Sequence, residues 1–150
     1  MPLQNDLDKT YIKMAIVWSK LSKSRRKQVG CLIVKEGAII SDGYNGTPRG
    51  FDNNCELELD INMKTSCRVY SLTTKPEVLH AESNAITKLA KSTLSSSGST
   101  MYTTASPCLD CSKLIIQSNI TRLVYNELYK NRDGIELLKK AGIFVEHCRL

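Results

Sequence analysis

Short apolar runs alternate with amphipathic segments through the second half of the chain, and this alternation constrains the fold more than any other feature. Runs at 100–104, 122–126 and 143–145 have the length and composition of buried strands. Apolar stripes at helical spacing precede and separate these runs, and the last stripe ends at Gly142, a residue type that commonly ends helices. Such alternation predicts right-handed crossovers between parallel strands.

The first half of the chain adds a helix and a hairpin to this pattern. Apolar residues recur at helical spacing near its start: Leu7, Tyr11, Ala15 and Trp18. The runs 29–34 and 38–44 are separated by a turn and predict two antiparallel strands. The whole pattern predicts a three-layer α/β/α sandwich with a mixed five-stranded sheet, built as one domain from residues 1–150. Residues 45–79 show no sustained period, so we expect a long irregular segment there that is functional or mobile.

Composition and charge narrow the classes of partner. Hydrophobic residues make up 41% of the chain and charged residues 24%, which is ordinary for a folded protein. No stretch approaches the roughly 20 apolar residues of a membrane helix, and the N-terminus lacks a secretory pattern, so we expect a cytoplasmic protein with no membrane partner. The net charge of +6 suits anionic partners without choosing among nucleotides, nucleic acids and phosphates. In a reducing compartment, the six cysteines indicate metal binding, catalysis or burial.

Two fragments carry recognisable chemistry, and each opens a predicted helix. The first is His80-Ala81-Glu82, and the second is Pro107-Cys108-Leu109-Asp110-Cys111. Helix starts that follow strand ends gather along one edge of an α/β sheet, so His80, Cys108 and Cys111 are expected to converge. One imidazole and two thiolates are three zinc ligands, and three protein ligands leave a position for water, as in catalytic zinc sites. The spacing therefore predicts a catalytic Zn²⁺ site.

Glu82 lies two residues after the predicted histidine ligand. That offset turns its side chain by about 200° around a helix, so Glu82 need not bind the metal itself. From the first helical turn it can still reach a zinc-bound water, whose pKa zinc lowers to about 7. We expect Glu82 to be the general acid and base that moves protons. The order H-x-E followed by P-C-x-x-C is the pattern typical of zinc-dependent nucleobase deaminases.

The sequence resembles the cytidine deaminase superfamily and, within it, the deoxycytidylate deaminases. Besides the zinc fragments, the resemblance rests on the loop Gly43-Tyr44-Asn45-Gly46-Thr47-Pro48-Arg49-Gly50 and on the helix start from His80 to Ile86. It implies hydrolysis of dCMP to dUMP and ammonia, which supplies dUMP for thymidylate synthesis. Glu82 would then protonate N3 of the cytosine ring and assist the departure of the 4-amino group.

The resemblance also implies contacts with the rest of the substrate. Backbone groups near Ala81 and near Ser106 and Pro107 would read the edge of the ring. Asn45 matches a sugar-binding asparagine, although Asn-Gly is equally a turn dipeptide. Lys91, where relatives often carry arginine, and Tyr129 match residues that contact the phosphate.

Regulation and assembly are further implications of the resemblance. Relatives are homohexamers that dCTP with Mg²⁺ activates and dTTP inhibits. The corresponding effector residues would come from the 43–50 loop and the basic segment before the first strand: Arg25, Arg26, Asp42, Tyr44 and Arg49. The remaining cysteines are expected to be buried or free thiols, and a second metal at Cys55 or Cys67 is the less favoured alternative.

Two other classes of function remain open from the residues. A deaminase of bases within tRNA or other nucleic acid shares the zinc pattern, and the positive charge permits it. A zinc- or nucleotide-binding module without activity is the other, but the presence of Glu82 argues against it. Our prediction is a deaminase of a free nucleotide that does not require nucleic acid.

Overall fold

The computed structural model describes residues 1–60 and 70–150 and contains helices and strands in the following order. The elements are α1 (Gln4–Ser19), β1 (Gly30–Lys35), β2 (Ala38–Tyr44), β3 (Glu56–Asp60), β4 (Tyr70–Thr74), α2 (Ala81–Leu89), β5 (Thr100–Ala105), α3 (Leu109–Gln117), β6 (Arg122–Glu127), α4 (Asp133–Lys140) and β7 (Phe144–His147).

The main sheet has five strands in the order β2-β1-β5-β6-β7. Strand β1 is antiparallel to both β2 and β5, whereas β6 is parallel to β5 and β7. The predicted mixed five-stranded sheet is therefore confirmed, including its parallel half. Sequence alternation in the strands divides their side chains between two faces because the side-chain period of a strand is two.

A helical layer covers each face of this sheet. On one face, Ile12 and Ala15 of α1 pack with Leu32, Tyr102 and Val124. The opposite face packs against α2, α3 and α4 through a larger cluster that includes Cys31, Ile33, Met101, Ile115, Leu123 and Leu138. The α/β/α sandwich predicted from the sequence is thus the observed architecture.

One edge of the sheet gathers the ends of several strands. Because β1 runs antiparallel to β5, its first residue, Gly30, lies at the carboxyl end of β5, and the amide of Gly30 donates to Thr104 Oγ1. Gly30 also pairs with Tyr44 at the end of β2. The loop before β1, the loop after β2 and the loop after β5 therefore meet at this edge, which is where ligands bind in α/β proteins.

The segment 45–79 is less irregular than its sequence indicates. Strands β3 and β4 form a separate antiparallel hairpin in which Glu56 pairs with Thr74 and Asp60 pairs with Tyr70. The prediction of an irregular segment was wrong here because every second residue of β3 is acidic, so the strand lacks the apolar run of a core strand. Residues 61–69, with Cys67, lie outside the described residues.

The remaining cysteines and the helix lengths match expectation where they are described. Cys31, Cys55 and Cys148 are buried and carry free thiols. Across residues 1–60 and 70–150, the helices are all too short or too polar to cross a lipid bilayer.

Candidate metal centre and active site

Two helix starts bring the predicted metal ligands together. His80 is the N-cap residue of α2 and Cys108 is the N-cap residue of α3, both with extended backbone angles. An N-cap residue lies just before the first helical residue, so its side chain can extend beyond the end of the helix. The Cys108 sulfur accepts a hydrogen bond from the amide of Cys111, which fixes the loop that carries both thiols.

The three side chains lie at distances that suit zinc. His80 Nδ1 is 3.5 Å from Cys108 Sγ and 3.4 Å from Cys111 Sγ, and all three atoms lie within 4.8 Å of one another. Zn–N bonds of about 2.1 Å and Zn–S bonds of about 2.3 Å in a tetrahedron place nitrogen and sulfur about 3.6 Å apart. Among the described histidine, cysteine and acidic residues, these three alone form such a group. The donor set therefore fits a zinc ion with one position left for a non-protein ligand.

The electrostatics of the thiols favour a thiolate at Cys108. Hydrogen bonds from the Cys111 thiol and from His80 lower the pKa of Cys108 to about 4. The same interaction with Cys108, together with burial, raises the pKa of Cys111. Hydrogen bonding to Cys108 raises the pKa of His80 against the opposing effect of burial. A thiolate is the form of cysteine that binds metal, so this local charge distribution is consistent with a metal site.

Glu82 lies beside this group and is almost completely buried, with 4% of its surface exposed. Burial raises the pKa of its carboxyl group, because a charged carboxylate is disfavoured away from water. The side chain lines the same cavity as His80 and Cys108. The structure thus places a carboxyl group in a dry position next to the three ligand atoms, as the spacing of the H-x-E fragment predicts.

A cavity extends from the ligand group along the sheet edge and encloses about 560 Å³ of space, part of it open to solvent. Four of the residues predicted to contact substrate line it: Asn45, Ala81, Ser106 and Tyr129. Pro107 lies in the same loop between Ser106 and Cys108, although it is not part of the described lining. The ligand group and these predicted substrate contacts therefore share one cavity.

Asn45 also has a structural role within this wall. Its Oδ1 accepts from the amide of Val29 at 2.8 Å, and its Nδ2 donates to the carbonyl of Lys27 at 2.8 Å. These bonds join the loop after β2 to the loop before β1. The amide nitrogen carries two hydrogens, of which this bond uses one. The geometry therefore allows Asn45 both to stabilise the turn and to contact a ligand.

Lys91 lies at the end of α2 that is far from His80. Helix α2 ends at Leu89, so Lys91 lies beyond the helix end opposite to His80. Eleven residues at about 1.5 Å each correspond to roughly 16 Å along a helix axis. Lys91 lines a second cavity instead, together with Lys88, and is not among the residues that line the metal-site cavity. The lining of the metal-site cavity therefore gives the predicted contact between Lys91 and the substrate phosphate no support.

The residues predicted for an effector site divide into two groups. Asp42, Tyr44 and Arg49 line the second cavity, which encloses about 1050 Å³ of space, part of it open. Arg26 lines the metal-site cavity, and Arg25 lines neither but forms ion pairs with Glu56 and Glu58. The basic segment before β1 therefore belongs to the first cavity because β1 is antiparallel to β5.

Sequence reasoning missed the cations of the metal-site cavity. Arg26 and Lys27 both line it, and Lys27 Nζ lies 5.2 Å from the ring centroid of Tyr129. Lys27 also forms an ion pair of 2.8 Å with Glu127. The available signal was the run from Ser19 to Lys27, which has five basic residues and no acidic one. Only the strand directions decide that this run ends beside the ligand group.

Comparison with known proteins gives one consistent result. The family model described as the cytidine and deoxycytidylate deaminase zinc-binding region matches residues 5–127. The deoxycytidylate deaminase of Enterobacteria phage T4 is 36% identical, over 91% of this chain and 86% of that protein. The corresponding phage T2 protein is 38% identical, over 91% and 89%. A crystal structure of the cyanophage S-TIM5 dCMP deaminase in complex with dCMP and dUMP superimposes with a TM-score of 0.85 and 39% identity, covering 97% of this chain and 99% of that one.

Proposed function

The chain belongs to the cytidine and deoxycytidylate deaminase family, and from this premise we propose that it hydrolyses dCMP to dUMP and ammonia. The observation that carries the proposal is the placement of His80, Cys108 and Cys111 beside the buried Glu82. Residues 1–150 would act as one deaminase domain. The named activity of the phage relatives and the ligands of the cyanophage enzyme support the choice of dCMP.

The residues around the ligand group have complementary roles in this reaction. His80, Cys108 and Cys111 would hold the metal, and a zinc ion there would lower the pKa of a water molecule so that hydroxide is available at neutral pH. Glu82 accepts a proton from the attacking water and delivers it to N3 of the cytosine ring. The carboxylate of Glu82 then takes the proton of the hydroxyl group added at C4 and gives it to the 4-amino group, which leaves as ammonia while C4 becomes the carbonyl of dUMP. Burial of Glu82 keeps bulk water from competing for this proton.

We assign the phosphate of dCMP to the basic side of the cavity. Arg26 and Lys27 supply positive charge there, and the hydroxyl of Tyr129 is a further donor in the lining. An arginine guanidinium can bind two phosphate oxygens at once, which a lysine cannot. Backbone groups near Ala81 and Ser106 remain the proposed contacts of the ring, and Asn45 the proposed contact of the sugar.

Regulation by dCTP with Mg²⁺ and by dTTP is a finer part of the proposal. The second cavity supports it, because Asp42, Tyr44 and Arg49 line it together with Lys88 and Lys91. Cations suit a triphosphate, and a carboxylate suits a magnesium ion. A coupling of roughly 1–3 kcal/mol between two such sites would be typical. The homohexamer and the cytoplasmic location stay predictions.

Turnover by the purified, zinc-loaded protein tests the function. We expect release of ammonia from dCMP at a kcat/KM well above that for deoxycytidine or a single-stranded oligonucleotide, and loss of activity on zinc removal. Deamination of the oligonucleotide alone would replace the proposal with its alternative, a deaminase of bases in nucleic acid. Repeating the dCMP assay with dCTP and Mg²⁺ or with dTTP tests regulation separately, and an unchanged rate would contradict that part only.

A further inference from the structure

A buried carboxylate outside the cavity lining connects the β3–β4 hairpin to the loop before β1. Glu56, the first residue of β3, has 1% of its surface exposed. Its Oε1 accepts from Ser24 Oγ at 2.7 Å, from the Arg25 amide at 2.9 Å and from the Arg26 amide at 3.2 Å. A loop of irregular backbone is thereby bound at three consecutive residues by one side chain.

The loop that Glu56 holds forms a wall of the substrate cavity. Ser24, Arg26 and Lys27 all line the cavity, whereas Glu56 does not. Arg26 has a second attachment to the same hairpin, since its Nη1 donates to Thr74 Oγ1 at 3.0 Å. Thr74 is the register partner of Glu56 and also lines the cavity. The hairpin therefore fixes both the backbone and the side chain of Arg26.

The charge of Glu56 is compensated mainly at Oε1, since Oε2 is buried with no hydrogen-bond partner among the described residues and lies 3.6 Å from Arg25 Nε. Burial alone would raise its pKa, but hydrogen bonds from Ser24, Arg26 and Arg25, with the charge of Arg25, outweigh burial and lower the pKa. An ionised carboxylate that accepts several bonds is a strong tether, because hydrogen bonds to charged groups are stronger than neutral ones. Loss of the carboxylate would leave amide donors of the loop without their partner.

We propose that Glu56 is a positioning residue for substrate binding, which holds Arg26 and Lys27 at the place where the phosphate of dCMP binds. This inference rests on the proposed function for the identity of the substrate. It assigns Glu56 no contact with the substrate and no part in proton transfer. Its effect is therefore expected in the affinity for the phosphorylated ligand and hardly at all in the chemical step.

The test compares Glu56→Gln with Glu58→Gln. Glu58 lies two residues further along the same strand, and within residues 1–60 and 70–150 its exposed carboxylate pairs only with the side chain of Arg25. Both variants lose one negative charge, but only in Glu56→Gln does that charge lie on a buried group that accepts three hydrogen bonds from the loop. We expect Glu56→Gln to raise the KM for dCMP and the Kd for dUMP about 10-fold, with kcat within about 3-fold. Glu58→Gln should change each value less than about 2-fold.

Deoxyuridine distinguishes positioning from general damage. Because deoxyuridine lacks the phosphate, its Kd should be nearly unchanged in Glu56→Gln, and the effect on dUMP should be much smaller in an Arg26→Ala background. Equal losses for dUMP and deoxyuridine, or no loss for dUMP, would overturn the inference. The measurements of dUMP and deoxyuridine binding do not depend on turnover. A wild-type protein without deaminase activity would therefore contradict the proposed function but not the positioning role of Glu56.

Zinc content and circular dichroism show whether Glu56→Gln folds. If it does not fold, a second variant tests the inference. Glu56→Asp keeps the charge and shortens the side chain by one methylene. The same selective loss of dUMP affinity, smaller in size, is expected for it. A Glu56→Asp protein that binds dUMP like the wild type, or that loses dUMP and deoxyuridine equally, would also contradict the positioning role.

Discussion

At the scale of single residues, the histidine and the glutamate of the H-x-E fragment differ in their exposure to solvent. His80 is accessible at the rim of α2, whereas Glu82 is buried within the first turn of the same helix. The exposed His80 side chain lies close to the two thiols at the start of α3. A carboxyl group that is shielded from bulk water exchanges its proton mainly with the groups beside it. In the proposed reaction, two residues of one helix turn would therefore serve metal binding and proton transfer without competing for the same position.

Glu82→Gln is expected to abolish most activity while leaving the metal in place. The amide has nearly the same shape as the carboxyl group but cannot carry the proton, so kcat for dCMP should fall by roughly 10²–10⁴. Zinc content should stay equal to that of the wild type, since Glu82 is not one of the three ligands. Metal analysis and ammonia release measure the two quantities. Glu136→Gln, an exposed change on α4, is the matched control.

Retained activity in Glu82→Gln would contradict the assigned proton role. Loss of zinc together with activity would mean that Glu82 supports the metal instead, which the ligand distances argue against.

The metal ligands could be predicted because their signal is local. Cys108 and Cys111 lie three residues apart at a helix start, and His80 opens another helix, so spacing together with the gathering of helix starts at one sheet edge indicates three converging donors. Arg26 gave no comparable signal. Its place beside the ligand group depends on β1 running antiparallel to β5, which no short stretch of sequence encodes. Charged residues on loops also read as ordinary surface charges unless the fold is known.

At the scale of elements, α2 lies in direct contact with β2, and this contact sets the position of the H-x-E fragment. A Cβ atom added to Gly43 would lie 2.2 Å from the Ala81 carbonyl oxygen and 2.7 Å from the Ala85 amide nitrogen. Both are backbone atoms, which cannot move aside as a flexible side chain can. Gly43 therefore allows α2 to pack closely against β2, and any larger residue would push them apart.

Gly43→Ala is expected to displace the start of α2 and to weaken the metal site. We expect a free energy of unfolding lower by about 1–3 kcal/mol, as for overpacked cores, with weaker zinc binding because His80 moves with the helix. Gly46→Ala is the matched control, since an added Cβ there meets nothing within 4 Å. Denaturant titration and a zinc competition assay measure the two effects. Equal behaviour of the two variants would show that the contact does not set the site.

The β3–β4 hairpin shows where prediction at this scale fails. Its strand β3 alternates acidic and apolar residues, with Leu57 and Leu59 exposed, so burial against the main core does not define it. The hairpin is instead attached through Glu56, whose partners lie 30 to 32 residues earlier in the chain. Pairings at such separation follow from the assembled fold and leave no periodic pattern.

At the scale of the whole molecule, one ionic network joins the first helix to three strands of the sheet. Asp8 of α1 accepts bonds from Tyr102 of β5 at 2.8 Å and from Arg122 of β6 at 2.9 and 2.7 Å. Arg122 also pairs with Glu146 of β7. Because α1 is alone on its face among the described helices, this network complements the apolar contacts that hold it to the sheet.

Asp8→Asn is expected to destabilise the fold strongly at neutral pH. Breaking a buried ion pair by removing one partner costs about 3–5 kcal/mol, and the lower end applies here because Arg122 keeps Glu146. Urea unfolding at pH 7 measures the loss. Asp6→Asn, on the exposed first turn of the same helix, should change the free energy of unfolding by less than about 1 kcal/mol. A comparable loss in both variants would mean that helix charge, and not the network, stabilises α1.

The same network makes a signed prediction for pH. Burial alone would raise the pKa of Asp8, but hydrogen bonds from Arg122, Gln4 and Tyr102 outweigh it and hold the pKa below its usual value. The unfolded chain then takes up the proton first as the pH falls, so the stability that Asp8 contributes is complete above the unfolded pKa of about 3.9 and is lost below it. The gap in unfolding free energy between wild type and Asp8→Asn should be constant from pH 7 to 5 and shrink below pH 4. Urea titrations across that range measure it, and a gap that stays constant or widens in acid would contradict the lowered pKa.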